Sequence, residues 1–366
     1  MLVTRTYPSF SALPTRYDPL FEAAAKESFC FSRGWFENFA TTVLGANDQT
    51  RIYAVESSAA VPMALLPMAV TGKQGQRFRP RRLHGLANYY TPVFGPIVAS
   101  EWQAHEAAQT LIEALVRDTQ KWDLVDLHPL ATENESFAAL VEALRSAGFL
   151  VQTYFCFGNW HLKREGRSFE DYAVSLPSAL KNTLRRKRKQ LSSAANARVE
   201  IVTSVEKLPT AISAYEAVYA ASWKIPENHP EFVRGLIRLA AEKGWLRLGV
   251  LYIDEVPAAA QIWIVANGTA AIYKLAYDDR FARYSVGSIL TAELMKYAMD
   301  IDHVAQVDYL SGDDEYKRDW MQYRRERWGI LAFNRRTANG LIGAAQHFGG
   351  RLLKDAAVAA RRTLNR

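Results

Sequence analysis

Hydrophobic and polar positions along this 366-residue chain alternate in short runs, with amphipathic helical stretches between them. Period-two alternation rich in β-branched and aromatic residues reads as strand, and apolar spacing at i, i+3 and i+4 reads as helix. The first 33 residues look irregular, broken by Pro8, Pro14 and Pro19. Trp35–Leu44 then reads as a helix, Arg51–Val55 and Val61–Val70 as strands, and Glu101–Trp122 as a helix. Asp123–Leu127 is a strand, Ser136–Ala147 a helix closed by Gly148, and Phe149–Leu162 a long strand. In the second half Phe169–Leu176 and Pro177–Ala195 read as helices, Val199–Thr203 as a strand, and Leu208–Trp223 and Glu231–Lys243 as helices. Leu246–Ile253 and Val256–Val265 form a hairpin around Asp254-Glu255, and Asn267-Gly268 is a two-residue turn into the strand Thr269–Tyr277. Such turns need φ > 0, which Asn and Gly tolerate. A helix from Gly287 to about Asp300, strands Val304–Leu310 and Trp328–Phe333, and a tail helix Leu341–Leu364 complete the chain.

The order of elements occurs twice. RIYAVESSAAVPMALLPMAV (51–70) parallels LGVLYIDEVPAAAQIWIV (248–265), and both carry Val-Pro-x-Ala at the start of the second hairpin strand. LVDLHPL (124–130) parallels QVDYLSG (306–312). An internal duplication of about half the chain length follows, with two α/β lobes and a boundary near residues 160–168. The copies differ after the third strand. The first has Phe94-Gly95-Pro96, where Pro96 removes a backbone N–H. The second has Tyr284-Ser285-Val286-Gly287-Ser288, with donors throughout. A strand, a short loop and a helix start make an anion cradle, because the first N–H groups of a helix lack intrahelical partners and the dipole there favours negative charge. The cradle therefore belongs to the second copy.

Charge agrees with an anionic ligand. The net charge is +7 and the pI about 9.2, as nucleic acid, anionic lipid or a phosphorylated cofactor would suit. Only Cys30 and Cys156 are present, which argues against a disulfide scaffold or a cysteine zinc site. The seven histidines show no paired metal-ligand spacing, so no metal is expected. The N-terminal MLVTRTYPSFSALP lacks an apolar segment of signal-peptide length, and no apolar run is long enough to span a bilayer. A soluble protein of a reducing compartment, the cytoplasm, is expected.

Four motifs carry a family resemblance: SALKNTLRRKRKQL (178–191), IDEVPAAAQ (253–261), AYDDRFARYSVGSILTAEL (276–294) and VDYLSGDDEYKRDW (307–320). Over about 165–335 the chain resembles the GNAT N-acyltransferases, in the CelD-like branch related to Fem-type peptidoglycan aminoacyltransferases. The resemblance implies two tandem GNAT-like lobes of α/β (α+β) class, each a mixed, largely antiparallel sheet flanked by helices. Residues 1–164 would be the degenerate lobe, 165–338 the acyltransferase lobe and 339–366 a basic amphipathic helix. It also implies acyl-CoA as co-substrate, its pyrophosphate gripped at Arg283, Tyr284, Ser285, Val286, Gly287 and Ser288. In the family pattern an earlier glycine stands where this chain has Ser285 or Val286. A GNAT sheet splays after its fourth strand, which puts the thioester at Lys274–Tyr277, with Lys274 and Tyr277 lining it.

Three residues are candidates for the chemistry. Asp308 is either a base for the acceptor amine or a carboxylate capping the loop at Ser311-Gly312. Tyr316 either protonates the leaving group or packs in the core. Lys317 either pairs with a phosphate or acceptor carboxylate or snorkels. His128 reads as a loop histidine without a role. The helix holding Lys181, Arg185, Arg186, Lys187, Arg188 and Lys189 has no acid between them, and suits a membrane surface or phosphate-bearing acceptor better than nucleic acid, for want of interleaved aromatics. In the tail, Leu341, Ile342, Ala345, Phe348, Leu352, Ala356 and Ala359 share a face, with Arg351, Lys354, Arg361, Arg362 and Arg366 among the polar positions. Such a helix either lies on an anionic membrane at the inner face of the cytoplasmic membrane or packs on the protein.

The expected activity is N-acyl transfer from an acyl-CoA thioester to an amine of the cell envelope. The acceptor would be an amino sugar of a polysaccharide or glycolipid, or a long-chain amine such as a sphingoid base. The alternatives are tRNA-dependent aminoacyl transfer and a non-catalytic, membrane-associated GNAT-like module in polysaccharide assembly.

Overall fold

The computed structural model describes residues 2–71, 80–194 and 196–349. The first repeat contains β1 (Leu2–Tyr7), α1 (Asp18–Ala25), α2 (Arg33–Thr42), β2 (Gln49–Ser57), β3 (Pro62–Val70), β4 (Arg82–Gly85), β5 (Ile97–Val98), α3 (Ala104–Arg117), β6 (Leu124–Ala131), α4 (Glu135–Ser146) and β7 (Phe149–Lys163). The second contains α5 (Phe169–Ser175), α6 (Ser178–Ala194), β8 (Ala197–Val202), α7 (Leu208–Ala220), α8 (Pro230–Glu242), β9 (Leu246–Ile253), β10 (Val256–Ala266), β11 (Thr269–Tyr277), α9 (Val286–Asp300), β12 (Gln306–Asp308), α10 (Glu315–Trp320) and β13 (Tyr323–Asn334). A last helix, α11, occupies 338–349.

The chain divides into two compact units: residues 1–25, 30–156 and 326–366, and residues 26–29 and 157–325. Each is a mixed, mostly antiparallel sheet flanked by helices. In the first unit the strands run β1-β2-β3-β4-β6-β13, with β4 and β6 parallel and β6 and β13 antiparallel. In the second they run β8-β9-β10-β11-β12-β7, with β11 and β12 parallel and β12 and β7 antiparallel. Each unit is thus closed by the final strand of the other sequence repeat. The expected boundary at 164/165 lies one residue past β7, whereas the units divide inside β7 at 156/157 and again inside β13 at 325/326.

Two expectations change at the N-terminus and the tail. The first 33 residues are not irregular: β1 pairs antiparallel with β2 from Leu2–Ser57 to Tyr7–Ile52, and α1 begins at Asp18. Pro19 sits in the first turn of that helix, where its missing N–H costs nothing. In α11 Gly340 and Ala344 are buried, while Leu341, Ile342 and Ala345 are exposed. Phe348 and His347 pack on Phe333, with centroids at 5.9 Å and 5.3 Å. The tail's basic residues from Arg351 onward lie outside the described residues.

The second unit's core is built where α9 crosses the sheet. Ile289, Leu290, Leu294, Met295, Ala298 and Met299 cluster with Leu251, Trp263, Ile272 and Val307. Gly249 of β9 makes room for the crossing: a Cβ there would lie 2.8 Å from Leu294 Cδ1 and 3.1 Å from Leu290 Cδ1. Overpacking a tight contact of this kind costs about 1–3 kcal/mol. Gly249→Val is expected to destabilise the protein by about 2 kcal/mol, read as a lowered denaturation midpoint with an unchanged m-value.

Candidate active site

β12 follows β11 for three residues only, Thr269–Gln306 to Ala271–Asp308, and the two strands then part. Val304–Leu310 was expected as strand; the strand stops at Asp308. At the point of parting β11 also bulges. Ile262 faces Lys274 and Trp263 faces Ile272, so Tyr273 is the extra residue. A bulge bends and twists its strand locally, here beside the gap.

The first turn of α9 is fixed beside this gap. Arg280–Ser285 was expected as a loop; Asp279–Tyr284 is a 3-10 helix. It passes into α9 through Ser285 at φ 52° and ψ 43°. This left-handed conformation is one that glycine adopts without strain, so the conformational demand of the missing family glycine falls on Ser285. Buried Gln261 of β10 donates from Nε2 to the Gly287 carbonyl at 3.0 Å and to Thr291 Oγ1 at 2.8 Å. It accepts from Trp263 Nε1 at 2.9 Å. Gly287 lies against the Tyr277 ring, and a Cβ on it would be 3.1 Å from Cδ1. The N–H groups of Val286, Gly287 and Ser288 form the first helical turn, where no intrahelical acceptor exists.

The side chains of the predicted cradle are mostly committed elsewhere. Val286 and Tyr284 are buried in the core. The Arg283 guanidinium lies 4.7 Å over the Tyr284 ring and donates to its hydroxyl at 3.0 Å. The Arg283 carbonyl accepts from Lys187 of α6, and Arg188 pairs with Glu293 of α9 at 2.6 Å. What the cradle offers a ligand is backbone, with Arg185, Arg186 and Lys189 exposed on α6.

The three candidates for chemistry differ in their surroundings. Asp308 is buried, 3% exposed, and both oxygens are occupied. Oδ1 accepts from Asn159 Nδ2 at 2.5 Å and from the Leu310 N–H at 2.7 Å, and Oδ2 accepts from Arg325 at 2.5 Å. That geometry suits a carboxylate holding strand ends together. Lys317 is buried too, 5% exposed. Its ammonium turns inward, donating to the Ser311 carbonyl at 2.5 Å and the Gly312 carbonyl at 3.3 Å, with Asp314 at 3.2 Å. It does not snorkel to the surface, and burial lowers its pKa. Tyr316 is 43% exposed and stands edge-on to buried Tyr309, with centroids at 5.8 Å. Burial and then Asp314 hold its hydroxyl pKa well above the ordinary value, so it stays protonated and able to donate. Tyr316 and Lys317 lie on a short helix, α10, that the sequence did not suggest.

Three side chains of the segment after α7, Trp223, Lys224 and Glu227, were missed. Glu227 pairs with Lys274 at 2.6 Å, both mostly buried. Trp223 packs on Tyr277 with centroids at 4.5 Å. The available signal was the charged, Pro-broken run WKIPENHP between two apolar helices. Asn159 and Arg325, the partners of Asp308, were missed as well. They lie far from it in sequence, and only strand pairing joins them.

In the first unit, described by itself, Asp126 is the echo of Asp308. It accepts from His128 Nδ1 at 3.0 Å and from the Tyr154 hydroxyl at 2.7 Å. His128 is therefore part of β6 and bonded, not a loop histidine. Among the described residues no group of three or more His, Cys, Asp or Glu is placed to hold a metal ion, and no helix is long and apolar enough to cross a membrane.

Comparison with known proteins gives the same class. The fold of the whole chain is similar to that of FemX, with TM-score 0.60 at 9% identity over 91% of this chain and 97% of that one. It is similar to a conserved protein of unknown function from Bacteroides thetaiotaomicron, with TM-score 0.55, 11% identity, and 88% and 98% coverage. It is also similar to the C-terminal domain of a putative lysylphosphatidylglycerol synthetase from Agrobacterium fabrum, with TM-score 0.51, 12% identity, and 90% and 96% coverage. No curated protein matches the sequence. Residues 178–318 match the family model described as an acetyltransferase (GNAT) domain. The chain thus carries a GNAT-type acyltransferase domain on a GNAT fold.

Asp308 supplies a test of the site's frame. Removing one partner of a buried ion pair costs about 3–5 kcal/mol, less here because the Arg325 side chain is 29% exposed. Asp308→Asn is expected to destabilise the protein by about 2 kcal/mol in chemical denaturation. A variant as stable as the parent would contradict the framing geometry.

Proposed function

We propose that the protein transfers an acyl group from a coenzyme A thioester, bound between β11 and the first turn of α9, to the amine of a cell-envelope acceptor. The observation that carries this reading is the parting of β11 and β12 after Ala271, opposite a helix start whose N–H groups suit a pyrophosphate. The thioester would lie along Lys274–Tyr277, where backbone donors of β11 stabilise the tetrahedral oxyanion. The pyrophosphate would rest on Val286, Gly287 and Ser288, with Arg283 alongside. Tyr316, kept protonated by its surroundings, is the donor to the departing thiolate. Asp308 and Lys317 would shape the site by holding the β12 end and the 311–314 loop. The first lobe would be the degenerate copy, because Gly95-Pro96 stands where the second copy has its donors.

An envelope acceptor is supported by the neighbour named a lysylphosphatidylglycerol synthetase and by the exposed bases of α6. An amino sugar of a glycan or glycolipid and a long-chain amine both fit it, with peripheral contact at an anionic membrane through 341–366. The sequence resemblance to Fem-type aminoacyltransferases keeps aminoacyl-tRNA as the alternative donor. Salt-sensitive tRNA binding without coenzyme A binding would select that reading, and a chain with neither activity would be a scaffold.

Isothermal titration with coenzyme A should give one site per chain. Gly287→Val, which drives a side chain into Tyr277 and over the first-turn N–H groups, should weaken that affinity at least about tenfold, or ~1.4 kcal/mol. With acetyl- or long-chain acyl-CoA and an amine acceptor, Tyr316→Phe should lower kcat by about a hundredfold, the low end for general acid catalysis, with coenzyme A affinity unchanged. Absence of coenzyme A binding in the parent protein would sink the donor assignment.

A further inference from the structure

The segment that follows α7 is fastened along β11 at three points. The Ala221 carbonyl accepts from the Asp279 N–H at 3.4 Å, just past the end of β11. The Trp223 ring lies on Tyr277 at 4.5 Å. Glu227 bonds Lys274 at 2.6 Å. Rising residue numbers in the segment meet falling numbers in the strand, so residues between 223 and 227 lie over Lys274–Tyr277. Lys224 is among them.

The charged neighbours of Lys224 are unbalanced. Lys274 and Glu227 face it from β11 and its own segment, and Lys317 and Asp314 face it from α10 and the loop before it. Glu227 is taken by Lys274, and Asp314 lies within ion-pair distance of Lys317. Lys224 itself makes no ion pair among the described residues; its ammonium sits 5.9 Å from the Tyr219 ring centroid and 5.8 Å from that of Trp223. Burial first, then the Lys274 charge, pushes its pKa down to about 8, against about 10.4 for a free lysine. A desolvated lysine beside other cations is an activated nucleophile.

We propose that Lys224 is a self-acylation site: its ε-amine takes the acyl group from a thioester lying along Lys274–Tyr277. This rests on the donor reading above. The neutral Nζ attacks the thioester carbonyl, the C–S bond breaks, and the proton released from nitrogen ends on the departing thiolate. The products are an Nε-acyl-lysine and the free thiol of coenzyme A. The amide is stable, so the modification removes one of three neighbouring ammonium groups and lays the acyl chain over β11. Acylated protein is therefore expected to turn over more slowly than fresh protein.

The test is to incubate the full chain with acetyl-CoA, map acetyl-lysines by peptide mass spectrometry over time, and measure coenzyme A binding separately by titration. Lys224 should be acetylated at least about tenfold faster than exposed Lys189, as its larger neutral fraction requires. The rate should rise with pH through about 8 and level off above it, since only the neutral amine attacks. Unfolding the protein should erase the difference. Lys224→Arg should remove the label at 224 while retaining coenzyme A binding, but the mapping in the unaltered protein decides the matter without it. Lys224 labelled no faster than Lys189 in protein that binds coenzyme A overturns self-acylation and leaves the donor reading intact. Loss of coenzyme A binding in the unaltered protein overturns both.

Discussion

The structure of the second lobe depends on one constraint: β11 and β12 share three residues of parallel pairing and then separate. A parallel pair normally continues as far as its strands do, and here β12 ends at Asp308. Keeping that end from collapsing back onto β11 takes a set of buried polar bonds. Asp308 is tied to Asn159, Leu310 and Arg325, and Lys317 ties down the carbonyls of Ser311 and Gly312. On the other side, Gln261 anchors the first turn of α9 through the Gly287 carbonyl and Thr291. Buried polar groups of this kind are costly when unmet and rigid when satisfied. The gap is thus held by walls that cannot easily relax.

That arrangement revises the meaning of the charges. The protein is basic overall, yet many of its cations are spent internally. Lys187 and Arg188 join α6 to the loop and helix of the cradle, Lys274 is bonded to Glu227, and Lys317 is bound to carbonyls. A row of lysines and arginines in sequence therefore overstates the charge offered to a ligand. Arg185, Arg186 and Lys189 are the exposed remainder on α6, and Lys224 stands beside the gap with aromatic neighbours.

Much of the fold was legible in the sequence because its signals were local. The Asp254-Glu255 and Asn267-Gly268 turns need positive φ, and all four residues have it. Alternation placed β9, β10 and β11, and helical spacing placed α7, α8 and α9 to within a few residues. The duplication was legible through its Val-Pro-x-Ala and Val-Asp echoes. The exchange of closing strands was not, because nothing within β7 or β13 records which copy it will pair with. For the same reason Asn159 and Arg325, which sit on those strands, could not be connected to Asp308. The candidate site was legible as backbone: the turn from Tyr284 to Ser288 is a helix start beside the gap. Its side chains were less so, since Asp308 and Lys274 each met a partner distant in sequence and Lys317 turned inward onto the carbonyls of its own loop. The Lys224 segment escaped notice because prolines marked it as a connection, and only its contacts with β11 give it a place.

Under the proposed function, the gap between β11 and β12, with the first turn of α9, receives a thioester cofactor. Hydrogen–deuterium exchange of the full chain with and without coenzyme A addresses it most directly. Slowed exchange confined to the amides of 272–277 and 285–288 is the predicted result. Coenzyme A binding that leaves those two stretches unchanged and protects others would contradict it.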